Sequence, residues 1–247
     1  MKKPFWVFVT AIVFCLPAVL SAADESVFAK ANQAYSEGRF QEAAEGYESV
    51  VQSGQWNANL FYDLGNACYR LGNFGKAILN YERALALDPR HPEAEANLRL
   101  ARDEARALEL RKDWVERYVS MATVKQYSIA AAVALWSALF IVAQMLLSRR
   151  RSAGRIALVV LSIVVFAVSV FSIVTLENGT RGSALAVVIA KEIEARLATA
   201  DNAKSILLLP AGSEITILSE RGDWLYAALP NNQRGWIPAA SAERVRL

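Results

Sequence analysis

The chain has 247 residues, room for one or two ordinary domains, and 54% of them are hydrophobic. Its mean hydropathy is +0.22, and the excess is unevenly spread, which points to membrane segments rather than to an outsized core. The net charge of +3 comes largely from one arginine-rich gap, so it argues for membrane topology and against a nucleic-acid partner.

Residues 1–23 read as a secretory signal peptide. Lys2 and Lys3 give a positive start, Phe5 to Leu20 an apolar core, and Ser21-Ala22-Ala23 a small-residue cleavage site. Removing this segment takes Cys15 with it and leaves Cys68 as a lone thiol among apolar helix positions, a structural rather than a reactive setting.

A repeat follows. Residues 32–48 and 66–82 align without a gap at an offset of 34, sharing Asn32/Asn66, Tyr35/Tyr69, Gly38/Gly72, Phe40/Phe74, Ala43/Ala77, Tyr47/Tyr81 and Glu48/Glu82. Small residues such as Gly65 and Ala77 let paired helices approach. Gly72 suits the positive φ that ends a helix, and Pro89 stops the next one. The period and these residues resemble the tetratricopeptide repeat. A helical repeat domain over 24–117 is expected, with units at about 24–57 and 58–91 and a capping helix at 92–117. That last helix is expected to be long, with its charges on a solvated face.

The resemblance implies a concave groove built by the first helix of each unit. Phe28, Asn32 and Tyr35 would come from the first copy, and Asn59, Tyr62, Asn66, Tyr69 and Arg70 from the second. Asn32 and Asn66 stand where the family bonds an extended peptide backbone, and an amide can donate and accept at once. Asn66 has a second reading, in which it only bonds within its helix pair. The lysines with which some members grip a terminal carboxylate are absent. His91, in the run DPRHPE, reads as a loop residue.

Two uncharged stretches, 127–147 and 156–176, each contain 21 residues. As helices they reach about 30 Å, the thickness of a bilayer core. Ser and Thr in them can bond back to helix carbonyls, and Ala130, Ala134 and Ala138 form a small-residue stripe for close packing. The gap 148–155 carries Arg149, Arg150, Arg151 and Arg155. Arginines beside a span stay on the cytoplasmic side, so both ends of the hairpin face outward. The signal peptide independently sends the repeats to that side. Trp114, Tyr118 and Tyr127 suit an outer aromatic belt.

Residues 179–247 change to short β-prone runs parted by the turn signals Pro210-Ala211-Gly212, Glu220-Arg221-Gly222-Asp223 and Pro230-Asn231-Asn232. Gly212, Trp224 after a Gly-Asp turn, and Gly235-Trp236-Ile237 resemble the bacterial SH3-like domain. The resemblance implies a small barrel in which Trp224, Tyr226 and Trp236 either cover the core or form a candidate surface. The family's usual ligand-site stretch is represented only by Arg196.

The fold class expected is a multidomain membrane protein: all-α tetratricopeptide helical repeats, a two-helix transmembrane hairpin and a C-terminal all-β SH3-like barrel. That order resembles the BatE family of the Bacteroides aerotolerance group. The resemblance implies a non-enzymatic envelope scaffold in the bacterial cytoplasmic membrane. Its partners would be other membrane-anchored Bat proteins with von Willebrand factor A domains, with a MoxR-type ATPase on the cytoplasmic side. A peptidoglycan-anchoring module and a transmembrane signalling receptor are the alternatives. No cofactor is implied. One histidine supports neither a Ser-His-Asp arrangement nor a zinc site, no phosphate-cradling loop is present, and the spans hold no charge that would mark an ion path.

Overall fold

The computed structural model describes residues 26–148, 152–180 and 182–246. The expected signal segment 1–23 and three of the gap arginines, Arg149, Arg150 and Arg151, lie outside the described residues.

The two copies of the repeat fold alike, because the shared residues meet the same needs. In the first copy α1 spans 26–36 and α2 Phe40–Gln52. In the second, α3 spans Ala58–Arg70 and α4 Phe74–Leu87. Gly38 and Gly72, at φ 80° and 73°, end the first helix of each pair in the left-handed conformation that favours glycine. Arg39 N–H donates to Ala34 O and Asn73 N–H to Cys68 O, closing both helix ends with the same bond. Inside each pair, the Tyr47 hydroxyl donates to Asn32 Oδ1 at 2.7 Å and the Tyr81 hydroxyl to Asn66 Oδ1 at 2.8 Å. Tyr35 meets Phe40 edge-on at 5.2 Å, as Tyr69 meets Phe74 at 5.5 Å. Gly65 is needed for packing, since a Cβ there would lie 2.6 Å from the Tyr81 ring.

Helix α5 spans Pro92–Ala105 and differs from the expected long capping helix. It stops where Arg106 turns left-handed at φ 51° and Ala107 N–H bonds back to Arg102 O. No Gly or Pro announces this end. The stop is set by the contact made just beyond it, because Leu108 runs extended and accepts the N–H of Glu214 at 2.9 Å. The chain is helical again only in the short α6, Trp114–Val119.

Helices α7, Val124–Ser148, and α8, Ala153–Asn178, form an antiparallel hairpin and are long and apolar enough to cross a membrane. Both run past the uncharged stretches, since a charge ends a hydrocarbon span without ending a helix. Thr123 and Gln126 form a reciprocal cap at the start of α7, with bonds of 3.3 and 2.9 Å. Ala131 and Ala134 are the buried apolar positions of α7, and Ser169 and Ser172 are buried on α8. Ser172 and Thr175 hydroxyls donate to the carbonyls four residues back, at 2.8 Å each, which is how such side chains sit cheaply in an apolar helix.

The last unit is a seven-stranded antiparallel sheet in the order β3-β2-β6-β5-β4-β1-β7. Its strands are β1 (Leu185–Val188), β2 (Glu192–Arg196), β3 (Ser205–Pro210), β4 (Glu214–Arg221), β5 (Trp224–Ala228), β6 (Arg234–Pro238) and β7 (Ala242–Arg244). The turns fall where Gly212 and Gly222 take φ of 81° and 55° and Asn232 takes 62°. Every residue of β1 is buried. Strand alternation explains this: Leu185 and Val187 enter the core of the helical repeats, while Ala186 and Val188 enter the core of the sheet.

So the helical and sheet units pack directly on each other. Gly75 on α4 admits the β1 backbone, since a Cβ there would sit 2.9 Å from Val188 O. Arg83 Nη2 donates to Glu243 Oε2 at 3.1 Å and to Arg244 O at 3.0 Å. At the centre lies Arg102, its side chain only 8% exposed. Its Nη2 meets Glu82 Oε1 at 2.5 Å and also Glu214 of β4. Glu214 in turn accepts the Leu110 N–H at 3.0 Å. The charges of α5 are therefore not all on a solvated face. Arg102→Ala should leave two carboxylates buried without their cation, costing about 3–5 kcal/mol. Denaturant unfolding of the full chain in detergent should show that loss, whereas exposed Arg99→Ala should change stability by less than about 1 kcal/mol.

Candidate partner-binding groove

The first helices of the repeats and the start of α5 enclose an open groove of about 660 Å3. Of the residues expected there, the structure brings together Phe28 and Asn32 from α1 with Asn59 and Tyr62 from α3. Asn57, which caps α3 by accepting the Leu60 N–H at 2.9 Å, borders the same groove.

Asn66 is engaged inside the protein. Its Oδ1 accepts from Tyr81 and also from Asn97 Nδ2 at 2.9 Å, so the packing reading describes its oxygen. Asn32 commits its oxygen to Tyr47 in the same way while its side chain stays at the groove. Tyr35 and Arg70 form a neighbouring cluster. The Arg70 guanidinium lies 4.4 Å from the centre of the Phe40 ring, near Tyr35. Tyr69 packs on Phe74. Arg70 ties the two repeats together, and none of these three residues lines the groove.

Three carboxylates in the groove escaped sequence reasoning: Asp63, Asp88 and Glu93. Asp63 is half-buried on α3, and burial pushes its carboxyl up to about 6, against the opposing charge of His91. His91 is more than a loop residue. Its Nδ1 caps α5 by accepting the Ala94 N–H at 3.3 Å, which makes Nδ1 the unprotonated nitrogen of the neutral ring. Its ring stacks on Tyr62 at 4.9 Å. Glu93 Oε2 lies 3.2 Å from the same Nδ1, a contact that becomes an ion pair when the ring is protonated. A His-Pro pair at a helix start was the available signal for the cap; nothing local marked Asp63, which needs α5 beside it.

Cys68 lies on the buried face of α3, and burial raises its thiol to about 12, too high for a nucleophile. Among the described residues no group of His, Cys, Asp and Glu could hold a metal ion.

In the sheet, Leu225, Ala227, Gly235 and Ile237 are buried, so strand alternation puts Trp224, Tyr226 and Trp236 on the opposite face. All three are half-exposed, and Tyr226 and Trp236 pair across β5 and β6 with ring centres 4.9 Å apart. They are an outward aromatic strip rather than core. Of the gap arginines, only Arg155 is described, in the first turn of α8.

The tetratricopeptide-repeat family model matches residues 58–91, the second unit. Among solved structures the chain is similar to YrrB, described as a TPR protein with an unusual peptide-binding site. The identity is 17% and the TM-score 0.32, over 68% of this chain and 86% of that one. No curated protein matches the chain. This protein therefore contains a tetratricopeptide repeat, a class of module that suggests protein–protein interaction.

The raised Asp63 carboxyl has a sign that can be tested. Its usual value is 3.8 and its folded value about 6. Its contribution to stability is thus fully present below 3.8 and lost as pH rises through 6. Asp63→Asn should raise the melting temperature relative to the native chain at pH 8, and the difference should vanish near pH 4.

Proposed function

We propose that this protein is a non-enzymatic, membrane-anchored scaffold that holds an extended segment of a partner protein in its repeat groove. The observation that carries this is the groove itself, where Asn32 and Asn59 border a channel whose wall bears Asp63, Asp88 and Glu93. Amides suit the backbone of an extended peptide, and the carboxylates favour a segment with Lys or Arg. The two apolar helices support anchoring, and the basic gap supports a hairpin with both ends on the outer face of a bacterial cytoplasmic membrane. The layout resembles BatE. On that reading the C-terminal sheet is an SH3-like barrel, the partners are membrane-anchored Bat proteins with von Willebrand factor A domains, and the setting is aerotolerance or envelope stress.

Crosslinking in intact cells, followed by capture and mass spectrometry, tests it. Asn59→Ala with Glu93→Lys alters two exposed groove positions. Capture of specific partners should fall about tenfold or more, as expected when a central contact worth about 1.4 kcal/mol is lost. Unchanged capture would sink the groove as the working site.

A second reading concerns the sheet. The outward strip of Trp224, Tyr226 and Trp236 offers flat apolar rings with polar edges, which favours cell-wall glycan as its ligand. Native chain in detergent should be retained on purified peptidoglycan, and Tyr226→Ala with Trp236→Ala should abolish retention.

A further inference from the structure

A second cavity, of about 680 Å3, lies where the helical repeats, the sheet and the outer end of the hairpin meet. Its wall includes Val124 at the start of α7 and Leu176 near the end of α8, the hairpin end away from the arginine gap. Exposed Leu87 adds apolar surface on the repeat side.

The charges on the wall decide what the cavity can take. Four cations border it, Arg90, Lys112, Lys125 and Arg246, together with four carboxylates, Glu82, Asp88, Glu95 and Glu116. The carboxylates are engaged. Glu82 is held by Arg102, and Glu95 meets Arg99 at 2.9 Å, both cations from outside this wall. Asp88 accepts the Arg90 N–H at 3.1 Å, and buried Glu116 accepts from Thr180 N at 2.8 Å and Thr180 Oγ1 at 2.6 Å. By contrast, the side chains of Arg90, Lys125 and Arg246 have no ion-pair or hydrogen-bond partner among the described residues. Each acid on the wall is thus already engaged, while three of its cations are left to meet an anion. Positive charge beside apolar surface, at the end of two helices of bilayer length, is the chemistry of a phospholipid phosphate with the top of its acyl chains below it.

We infer that this cavity binds the head group of an anionic phospholipid, with Arg90, Lys125 and Arg246 around the phosphate and Val124, Leu176 and Leu87 against its apolar base. The inference rests on α7 and α8 spanning a bilayer. A lipid here would contact all three units at once: α7 and α8 below, the end of α4 and its following turn on one side, and the chain after β7 on the other.

Native mass spectrometry of the full chain, released from neutral detergent, tests the site. Phosphatidylglycerol, phosphatidylcholine and inorganic phosphate are added in turn at equal concentration. Phosphatidylglycerol adducts should exceed phosphatidylcholine adducts, and each of Arg90→Gln, Lys125→Gln and Arg246→Gln should weaken them about fivefold. Arg99→Gln should leave them unchanged. Lys125→Glu is the second variant, and it should abolish the preference with the melting temperature kept. Equal adducts for the two lipids, or a preference that survives the substitutions, would overturn the site. Inorganic phosphate displacing the lipid at equal concentration would overturn the lipid as its source. Flotation with phosphatidylglycerol vesicles separates the two claims. A chain that does not float overturns the bilayer reading together with the site, and one that floats without head-group preference overturns the site alone.

Discussion

Arg102 lies buried between Glu82 of the second repeat and Glu214 of the sheet. A cation so placed is costly to desolvate, and it is tolerable only when carboxylates meet it from both sides. Helix α5 must end within a turn of it, so that Leu108 can exchange hydrogen bonds with Ser213 and Glu214. Strand β1 must lie flat on α4, which is why Gly75 sits beneath its backbone. The same demand sets the apolar content of β1, which has no solvent face to keep polar. Remove the pairing and the sheet loses the buried electrostatic part of its register on the helices, leaving apolar contacts, which specify position less sharply, and the more peripheral Arg83 link.

This arrangement bears on function through what it leaves open. The sheet covers α4, a second helix of a repeat, and the far end of α5. The groove is lined from α1, α3 and the near end of α5. Docking therefore uses one side of the helical layer and leaves the other free for a partner. Glu116 holds Thr180 just after α8, so the chain entering the hairpin and the chain leaving it are joined at the end away from the arginine gap. The result is a short repeat array braced against a sheet rather than two modules on separate tethers, and a braced groove loses less conformational entropy when it binds.

Much of this was legible locally. A 34-residue period, Gly38 and Gly72 at the helix ends, and an Asn and a Tyr recurring in each copy define two helix pairs without further information, because each depends on neighbours less than one repeat away. The uncharged stretches declare their helices, and the Gly and Asn turn signals divide the last unit into strands. The end of α5 at Arg106 was not legible, since a left-handed Arg is imposed by the contact its neighbours make with the sheet and not by its own preference. Among the groove residues, Phe28, Asn32, Asn59 and Tyr62 followed from helix position, whereas Tyr35 and Tyr69 turned aside to pack within their own repeats and Arg70 to pack on Phe40 of the other.

The sequence by itself determined the order of units, the helix pairs, the apolar hairpin and three of the turns in the last unit, all properties of side-chain period and backbone preference within a short window. Only the tertiary structure decided that the repeats and the sheet dock, that Arg102 is a buried link rather than a solvated charge, that Asp63 and His91 share the groove, and that Trp224, Tyr226 and Trp236 point outward. Those outcomes join residues up to 161 positions apart. Charge, burial and facing direction at such sites depend on which surface arrives from elsewhere in the chain, and no local pattern carries that information.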